Sequence, residues 1–232
     1  MRTAATITHV SSTYAVAGAY GSGKTDLTYA LQHLTGLPRT QGSPMREPVG
    51  GEGVPIHNWT PAQVLQLTVN RYSERITGEA ALKDEGFFSD GSILHEWIYA
   101  KLRLTVGSYP STGHPLERRY RSPAVQVYES VADEIGLLAK RHVARGAYQA
   151  FFHLPIEFEL AENNRPINET FRRFSDELLL PALDEAGIPV HTVTGNLEER
   201  LEQILQATSL KPLLSVSDAV RKTRNQRQED SA

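Results

Sequence analysis

Gly18-Ala19-Tyr20-Gly21-Ser22-Gly23-Lys24-Thr25 is the stretch of this 232-residue chain that decides the predicted fold. It matches the pattern G-x-x-x-x-G-K-[ST] completely. A short apolar run at residues 14–17 precedes it, and apolar residues at helical spacing follow it as far as Leu34. A strand, a glycine-rich loop and a helix in this order are the context that a phosphate-binding loop requires.

The glycines of this loop let successive backbone N–H groups face inward as an anion-binding nest, to which the following helix adds the positive end of its dipole. Lys24 is predicted to reach the β- and γ-phosphates of a nucleoside triphosphate, and the Thr25 hydroxyl to bind Mg²⁺. A chance glycine turn is the alternative, but the flanking strand and helix argue against it. The predicted nucleotide-binding residues are Gly18, Ala19, Tyr20, Gly21, Ser22, Gly23, Lys24, Thr25 and Asp26.

An acidic residue should accompany the loop, because phosphoryl transfer needs a carboxylate to organise Mg²⁺ or to orient the attacking hydroxyl. Such an acid lies at the carboxyl end of a strand near the loop. Asp90 ends the short apolar run that contains Phe87 and Phe88, and is the best placed candidate for both the catalytic and the metal-binding role. The alternative is that Asp90 is the N-cap of a helix that begins near Ser92.

Arginines from a lid commonly meet the negative charge of the transferring phosphoryl group. Arg165 lies in the turn Asn163-Asn164-Arg165-Pro166, and Arg172 and Arg173 follow on the next predicted helix. We therefore predict a lid at about residues 161–173, with Arg165 and Arg172 as catalytic residues. The alternative for one of the two arginines at 172 and 173 is that it is merely a solvated residue on the helix. A second basic cluster, in an earlier polar loop, contains Arg118, Arg119 and Arg121. It either holds an anionic substrate or is solvated.

Two further sets of residues have open interpretations. Glu157 and Glu159 alternate on a predicted strand, so both would project from one face towards a hydroxyl-rich ligand or towards solvent at a sheet edge. Tyr20 and Trp59 could stack on a base, although core packing is the better interpretation for Trp59. The eight histidines show no metal-ligand spacing, so Mg²⁺ is the only metal expected.

Strands that alternate with helices predict an α/β fold with a parallel sheet covered on both faces. We expect one domain over residues 1–210 and a polar, partly disordered tail over 211–232. The net charge of -3 gives no reason to expect nucleic acid or an anionic membrane as a partner. The absence of cysteine, and of any apolar stretch long enough to cross a bilayer, agrees with a cytoplasmic location.

Three segments of the chain resemble a family of AAA-type P-loop proteins similar to the ribosylnicotinamide kinase domain of the bacterial NAD regulator. The likeness covers most of residues 13–208, although only the phosphate loop is specific by itself. The first segment is the loop, and the second is Phe87-Phe88-Ser89-Asp90-Gly91-Ser92. The third covers residues 152–200, where five motifs occur in the family's order: His153-Leu154-Pro155-Ile156-Glu157, Arg165, Glu169-Thr170-Phe171-Arg172, Val193-Thr194-Gly195 and Glu198-Glu199-Arg200.

The resemblance implies a nucleoside-kinase-like P-loop NTPase fold of three layers, with about five parallel strands, helices on both faces and a lid. It also implies ATP as the phosphoryl donor, Asp90 near the transferred group, and Arg165 with Arg172 in the lid. The chain departs from the family at Gly91, where an arginine is usual, and at Asn163-Asn164, which replaces Asp-Gly.

These observations predict an ATP-dependent small-molecule kinase that transfers the γ-phosphoryl group to a hydroxyl of a nucleoside-like or other metabolite. The competing hypothesis is a regulatory ATP- or GTP-binding protein that hydrolyses its nucleotide slowly and acts through a protein partner. The long loops and the lid arginines within the chain favour the kinase. No Asn-Lys-x-Asp guanine signature occurs in the sequence.

Overall fold

The computed structural model describes residues 12–40, 50, 53–54, 59–105, 122–159 and 169–230. Its strands form a single five-stranded sheet in the order β2-β3-β1-β4-β5, and every neighbouring pair is parallel. The predicted α/β class and the predicted number of strands are therefore confirmed. The strands are β1 (Thr13–Gly18), β2 (Arg39–Thr40), β3 (Phe87–Asp90), β4 (Ala150–Leu154) and β5 (Val190–Thr192).

Helices cover both faces of this sheet. Side chains alternate across a strand, so Ala15 and Ala17 of β1 face one apolar core while Tyr14 and Val16 face another. The first core is closed mainly by α3, α4 and α5, and the second by α1, α6 and α7. The helices are α1 (Lys24–Thr35), α2 (Pro61–Ala81), α3 (Ile93–Thr105), α4 (Pro123–Ala144), α5 (Glu169–Ala186), α6 (Leu197–Ala207) and α7 (Val216–Glu229).

Local sequence signals set the ends of α1 and α2. Helix α1 is capped by Gly36, which follows its last residue, adopts a positive φ of 78° and donates its N–H to the carbonyl of Gln32. Helix α2 begins with a capping box, in which the Thr60 hydroxyl accepts from the backbone N–H of Gln63 and the Gln63 side chain accepts from that of Thr60. Among the described residues, no helix is long and apolar enough to span a membrane.

Residues 216–229 differ from the expected disordered tail, because they form helix α7. Its composition is polar, but Ala219, Val220 and Thr223 are buried at helical spacing, and the two apolar residues join the core between α1 and α6. A small buried stripe on an otherwise charged helix is enough to dock it, although it does not raise the overall hydrophobicity. The expectation of disorder was wrong for this segment.

Candidate active site

The phosphate loop lies between β1 and α1, at the carboxyl edge of the sheet. Gly18, Gly21 and Gly23 have positive φ values of 137°, 73° and 94°, which non-glycine residues rarely adopt. A Cβ atom on Gly18 would lie 2.4 Å from the carbonyl oxygen of Leu154 in the neighbouring strand. The glycines are therefore required both for the turn and for the close approach of two strands.

Lys24 is folded back onto its own loop. Its Nζ donates hydrogen bonds to the carbonyl oxygens of Gly18 at 2.9 Å and Ala19 at 2.7 Å. Burial lowers the pKa of this lysine to about 8, although Asp90 and Asp176 act in the opposite direction. The ammonium group is thus desolvated, and it loses its proton at weakly alkaline pH.

Asp90 faces the phosphate loop from the end of β3. The register of β1 and β3 sets Val16 opposite Asp90, which brings the two strand ends together. Oδ2 of Asp90 accepts a hydrogen bond from Thr25 Oγ1 at 2.8 Å and forms an ion pair with Arg39 Nη2 at 2.9 Å. Helix α3 begins at Ile93. The carboxylate is therefore engaged with the loop side of the site.

Arg39, on the edge strand β2, is not among the site residues predicted from the sequence. Besides its ion pair with Asp90, its guanidinium lies 3.9 Å from the ring centroid of Tyr29, and its Nε donates to Thr28 Oγ1 at 3.3 Å. Only the pairing of β2 with β3 brings Arg39 to Asp90, 51 residues away. No short sequence pattern could have identified it.

A buried ionic network supports the strand that carries Asp90. Arg75 of α2 donates to Glu96 at 2.9 Å, to Ser89 Oγ at 2.9 Å and to the backbone carbonyl of Asp90 at 3.2 Å. Burial lowers the pKa of Arg75, but Glu96 and Glu79 raise it by more. Charges that are paired in this way tolerate burial, and the backbone of β3 is fixed next to the catalytic candidate.

The same network extends to both sides of Arg75. Arg71 Nε lies 2.6 Å from Glu96 Oε2, and the two arginines together keep the pKa of Glu96 low against the effect of burial. At the other end, the Tyr148 hydroxyl donates to Glu79, and burial raises the pKa of Glu79. The signal in the sequence was weak, because these residues are spread over α2, β3, α3 and the segment that precedes β4.

His95 connects α3 to the phosphate loop. Its Nδ1 lies 2.9 Å from Ser92 Oγ and its Nε2 lies 3.1 Å from the carbonyl oxygen of Gly18. Burial, together with the positive charges of Lys24 and Arg75, lowers the pKa of His95 to about 3. The imidazole is therefore neutral at physiological pH, and it orients the first residue of the loop.

Two arginines donate to backbone carbonyls of the loop from its outer side. Arg172 of α5 donates from Nε to the Tyr20 carbonyl at 2.8 Å, and Arg200 of α6 donates from Nη1 to the Ser22 carbonyl at 2.9 Å. Arg172 is fully buried, and its Nη2 makes no hydrogen bond within the described part of the chain. The site role predicted for Arg172 remains a prediction, whereas Arg200 was not recognised as a support of the loop.

The other predicted residues have mixed outcomes. Glu157 is not on a strand, since β4 ends at Leu154; it pairs with Arg200 and accepts from the N–H of Gly195 at 3.0 Å. Trp59 packs in a core cluster with α2, α3 and α4. The exposed Arg173 pairs with Glu177 on its own helix. Outside the described residues lie Arg165, most of the predicted lid, and Arg118, Arg119 and Arg121.

A cavity of about 480 Å³ opens beside the loop. The loop and Asp90 line it together with side chains of α2, α3, α5 and α7. Its volume is in the range that small-molecule ligands occupy. Tyr20 lines it and is 38% exposed. The side chains that line the cavity beyond the loop and Asp90 are Asp26, Leu67, Thr68, Arg71, Arg75, His95, Glu96, Tyr99, Ala100, Arg103, Phe171 and Arg227.

Solved structures with a similar fold include a nucleoside kinase and a nucleotide kinase. Deoxyadenosine kinase from M. mycoides, solved with bound dATP, aligns with a TM-score of 0.57 and 13% identity over 84% of this chain and 98% of its own. Thymidylate kinase from Candida albicans aligns with a TM-score of 0.53 and 12% identity, over 85% of this chain and 90% of its own. At such identities the likeness shows the fold.

The NadR protein in complex with NR aligns with a TM-score of 0.51 and 15% identity, over 88% of this chain and 52% of its own, so the chain spans about half the length of NadR. A comparison with curated protein sequences gives no significant match. Residues 13–200 match a family model described as an AAA domain. The chain therefore belongs to this AAA domain family, and its fold is the α/β fold of the P-loop kinases.

Proposed function

We propose that the protein is an ATP-dependent kinase that transfers the γ-phosphoryl group to a hydroxyl of a nucleoside-like or other small metabolite. The observation that carries the proposal is the 2.8 Å hydrogen bond between Thr25 and Asp90 beside a cavity of about 480 Å³. A phosphate loop alone indicates nucleotide binding. A carboxylate beside the loop, on a cavity large enough for a small molecule, favours transfer.

Thr25 and Asp90 would hold the Mg²⁺ ion that accompanies the nucleotide. Their hydroxyl and carboxylate oxygens are hard ligands already within hydrogen-bond distance of each other, which fits this ion. No group of three or more acidic, histidine or cysteine side chains capable of holding a metal occurs among the described residues. This agrees with an ion bound mainly by phosphates and water. When bound, it would neutralise charge on the phosphate oxygens.

The chain's own groups then have distinct roles. Lys24 Nζ donates hydrogen bonds to the carbonyl oxygens of Gly18 and Ala19 within the loop. When the nucleotide binds, Lys24 would exchange these two acceptors for phosphate oxygens. Asp90 would orient or deprotonate the acceptor hydroxyl. Arg165 and Arg172 are proposed to stabilise the transferring group; for Arg172 this contact would come from Nη2, because Nε is committed to the loop.

The part of the cavity that α2, α3 and α5 line is the proposed acceptor site. It offers an aromatic surface from Tyr99 and Phe171, whose ring centroids are 5.5 Å apart, and ionic groups from Arg71 and Glu96. A ring with hydroxyl substituents would satisfy both kinds of surface. The structural neighbours were solved with dATP, with NR, and with NAD and AMP-PNP, which supports a nucleotide donor and a riboside-like acceptor.

The net charge of -3 supports a small-molecule acceptor without nucleic acid or membrane as a partner, and we propose a cytoplasmic location.

The test of the proposed kinase activity is ADP release from ATP with and without a panel of nucleosides and hydroxylated metabolites, together with mass detection of the phosphorylated product. Lys24→Ala should abolish turnover, whereas Lys140→Ala, on a partly buried lysine of α4 that pairs with Glu185, should not. Turnover that ignores every small acceptor but rises with a protein partner would replace the kinase by the regulatory alternative.

A further inference from the structure

Helix α7 lies outside the segment that matches the family model, which ends at residue 200. It nevertheless packs along α1, the helix that follows the phosphate loop. Its buried residues Ala219, Val220 and Thr223 hold it there. Because the amino-terminal end of α1 follows the phosphate loop, side chains at the carboxyl end of α7 are brought close to the nucleotide site.

The carboxyl end of α7 is attached to α1 by two polar contacts. Arg227 Nε lies 3.0 Å from Asp26 Oδ1, and the Tyr29 hydroxyl donates to Asp230 Oδ2 at 2.9 Å. The Arg227 guanidinium also lies 5.9 Å from the ring centroid of Tyr29. Arg227 and Asp26 both line the cavity that the phosphate loop opens into. The guanidinium of a residue near the end of the chain thus belongs to the wall of the site.

Asp26 presents an electrostatic conflict in this position. A carboxylate in the first turn of α1 interacts favourably with the helix dipole. The same turn is the anion-binding end of the loop, because the first intrahelical bond there runs from the N–H of Leu27 to Gly23. A bound triphosphate would therefore experience repulsion from Asp26 unless a positive charge lies next to that carboxylate.

We infer that Arg227 compensates the charge of Asp26 so that nucleotide phosphates can bind, and that α7 is consequently part of the nucleotide-binding unit. Arg227 is a positioning residue in this scheme: it acts through Asp26 and adds positive charge to the mouth of the site. The inference rests on the proposed function only in requiring that nucleotide phosphates occupy the loop.

The experiment is calorimetric titration of the full chain with ADP and Mg²⁺ at low ionic strength. Arg227→Ala should raise the ADP Kd about tenfold, because it leaves a carboxylate beside the phosphates. Arg227→Lys should lose less affinity for ADP than Arg227→Ala, since lysine keeps the positive charge. Adding Asp26→Asn to Arg227→Ala should return the Kd to within about threefold of wild type. High salt should reduce the Arg227→Ala effect, because both side chains are about half exposed.

Arg224→Ala is the matched control, because this arginine lies on the same helix, is 70% exposed and pairs with Glu198 on α6. It should leave the ADP Kd unchanged. Melting temperatures of all variants should stay close to wild type, since single exposed ion pairs contribute little to stability. A Kd for Arg227→Ala within about twofold of wild type would overturn the inference.

The double variant tests whether the effect of Arg227 arises from the charge of Asp26. If Asp26→Asn fails to rescue Arg227→Ala, charge compensation is wrong. A wild-type protein that binds ADP but phosphorylates no acceptor would contradict the proposed function and leave this inference standing. A wild-type protein that binds no ADP would overturn both.

Discussion

We expect the affinity of the protein for ADP to fall as the pH rises through about 8, because Lys24 loses its proton there. Burial lowers the pKa of its ammonium group from 10.5 to about 8, in spite of Asp90 and Asp176. Bound phosphates would raise this pKa again, since an opposite charge favours the charged form. The complex therefore retains a proton that the free protein has released, and higher pH favours the free protein.

The size of the effect follows from that pKa. With a pKa of about 8, Lys24 of the free protein is about nine-tenths charged at pH 7, half charged at pH 8 and one-tenth charged at pH 9. If only the charged form binds tightly, the ADP Kd rises about twofold from pH 7 to 8 and about tenfold from pH 7 to 9. Binding at pH 8 should take up about half a proton.

Isothermal titration calorimetry in buffers of different ionisation enthalpy measures both the Kd and the proton uptake. Lys24→Arg keeps its charge over the whole range and should show a flat profile, although its affinity at neutral pH will differ. Lys140→Ala, a change on a partly buried lysine of α4, should keep the wild-type slope. A flat wild-type profile, or an equal slope in Lys24→Arg, would refute the assignment to Lys24.

Three other changes test the remaining parts of the site. Asp90→Asn should keep the ADP Kd, measured by calorimetry, within a few-fold of wild type. It should lower turnover, measured by ADP release, about a hundredfold or more. Normal turnover would mean that another acid is catalytic. Glu96→Gln should lower the free energy of unfolding in urea by about 3 kcal/mol, because buried Arg75 loses its nearest carboxylate. An unchanged midpoint of urea unfolding would contradict the role of the buried ionic network. Gly18→Ala should abolish ADP binding and destabilise the fold, because its Cβ would lie 2.4 Å from a backbone oxygen of β4. Gly78→Ala, on α2 with open space around it, is the control and should stabilise the protein by about 1 kcal/mol.

Much of the fold was predictable because its signals are local. The loop pattern, the apolar run before it and the helical spacing after it lie within about twenty residues of sequence. The proximity of Asp90 to Thr25 could be expected on general grounds, since parallel strands place their carboxyl ends at one edge of the sheet. The structure places them 2.8 Å apart, while their catalytic and metal-binding roles remain predictions.

Other parts of the site gave no local signal. Arg39, His95 and Arg200 are ordinary polar residues in the sequence, and each gains its contact only when distant elements meet. Arg75 and Glu96 are 21 residues apart on different helices. The polar composition of residues 216–229 concealed a docked helix, because a stripe of three small residues is sufficient to bury one face.

The sequence by itself determined the phosphate-binding loop and the parallel α/β sheet, because turn chemistry and apolar periodicity act between residues that are near neighbours in the chain. Only the tertiary structure decided how the loop is held and which charges surround it. Arg172 donates to the loop from α5, and Arg227 reaches Asp26 from the last helix, about two hundred positions away along the chain. Such partners are selected by the packing of whole helices on the sheet, and that packing depends on many contacts at once.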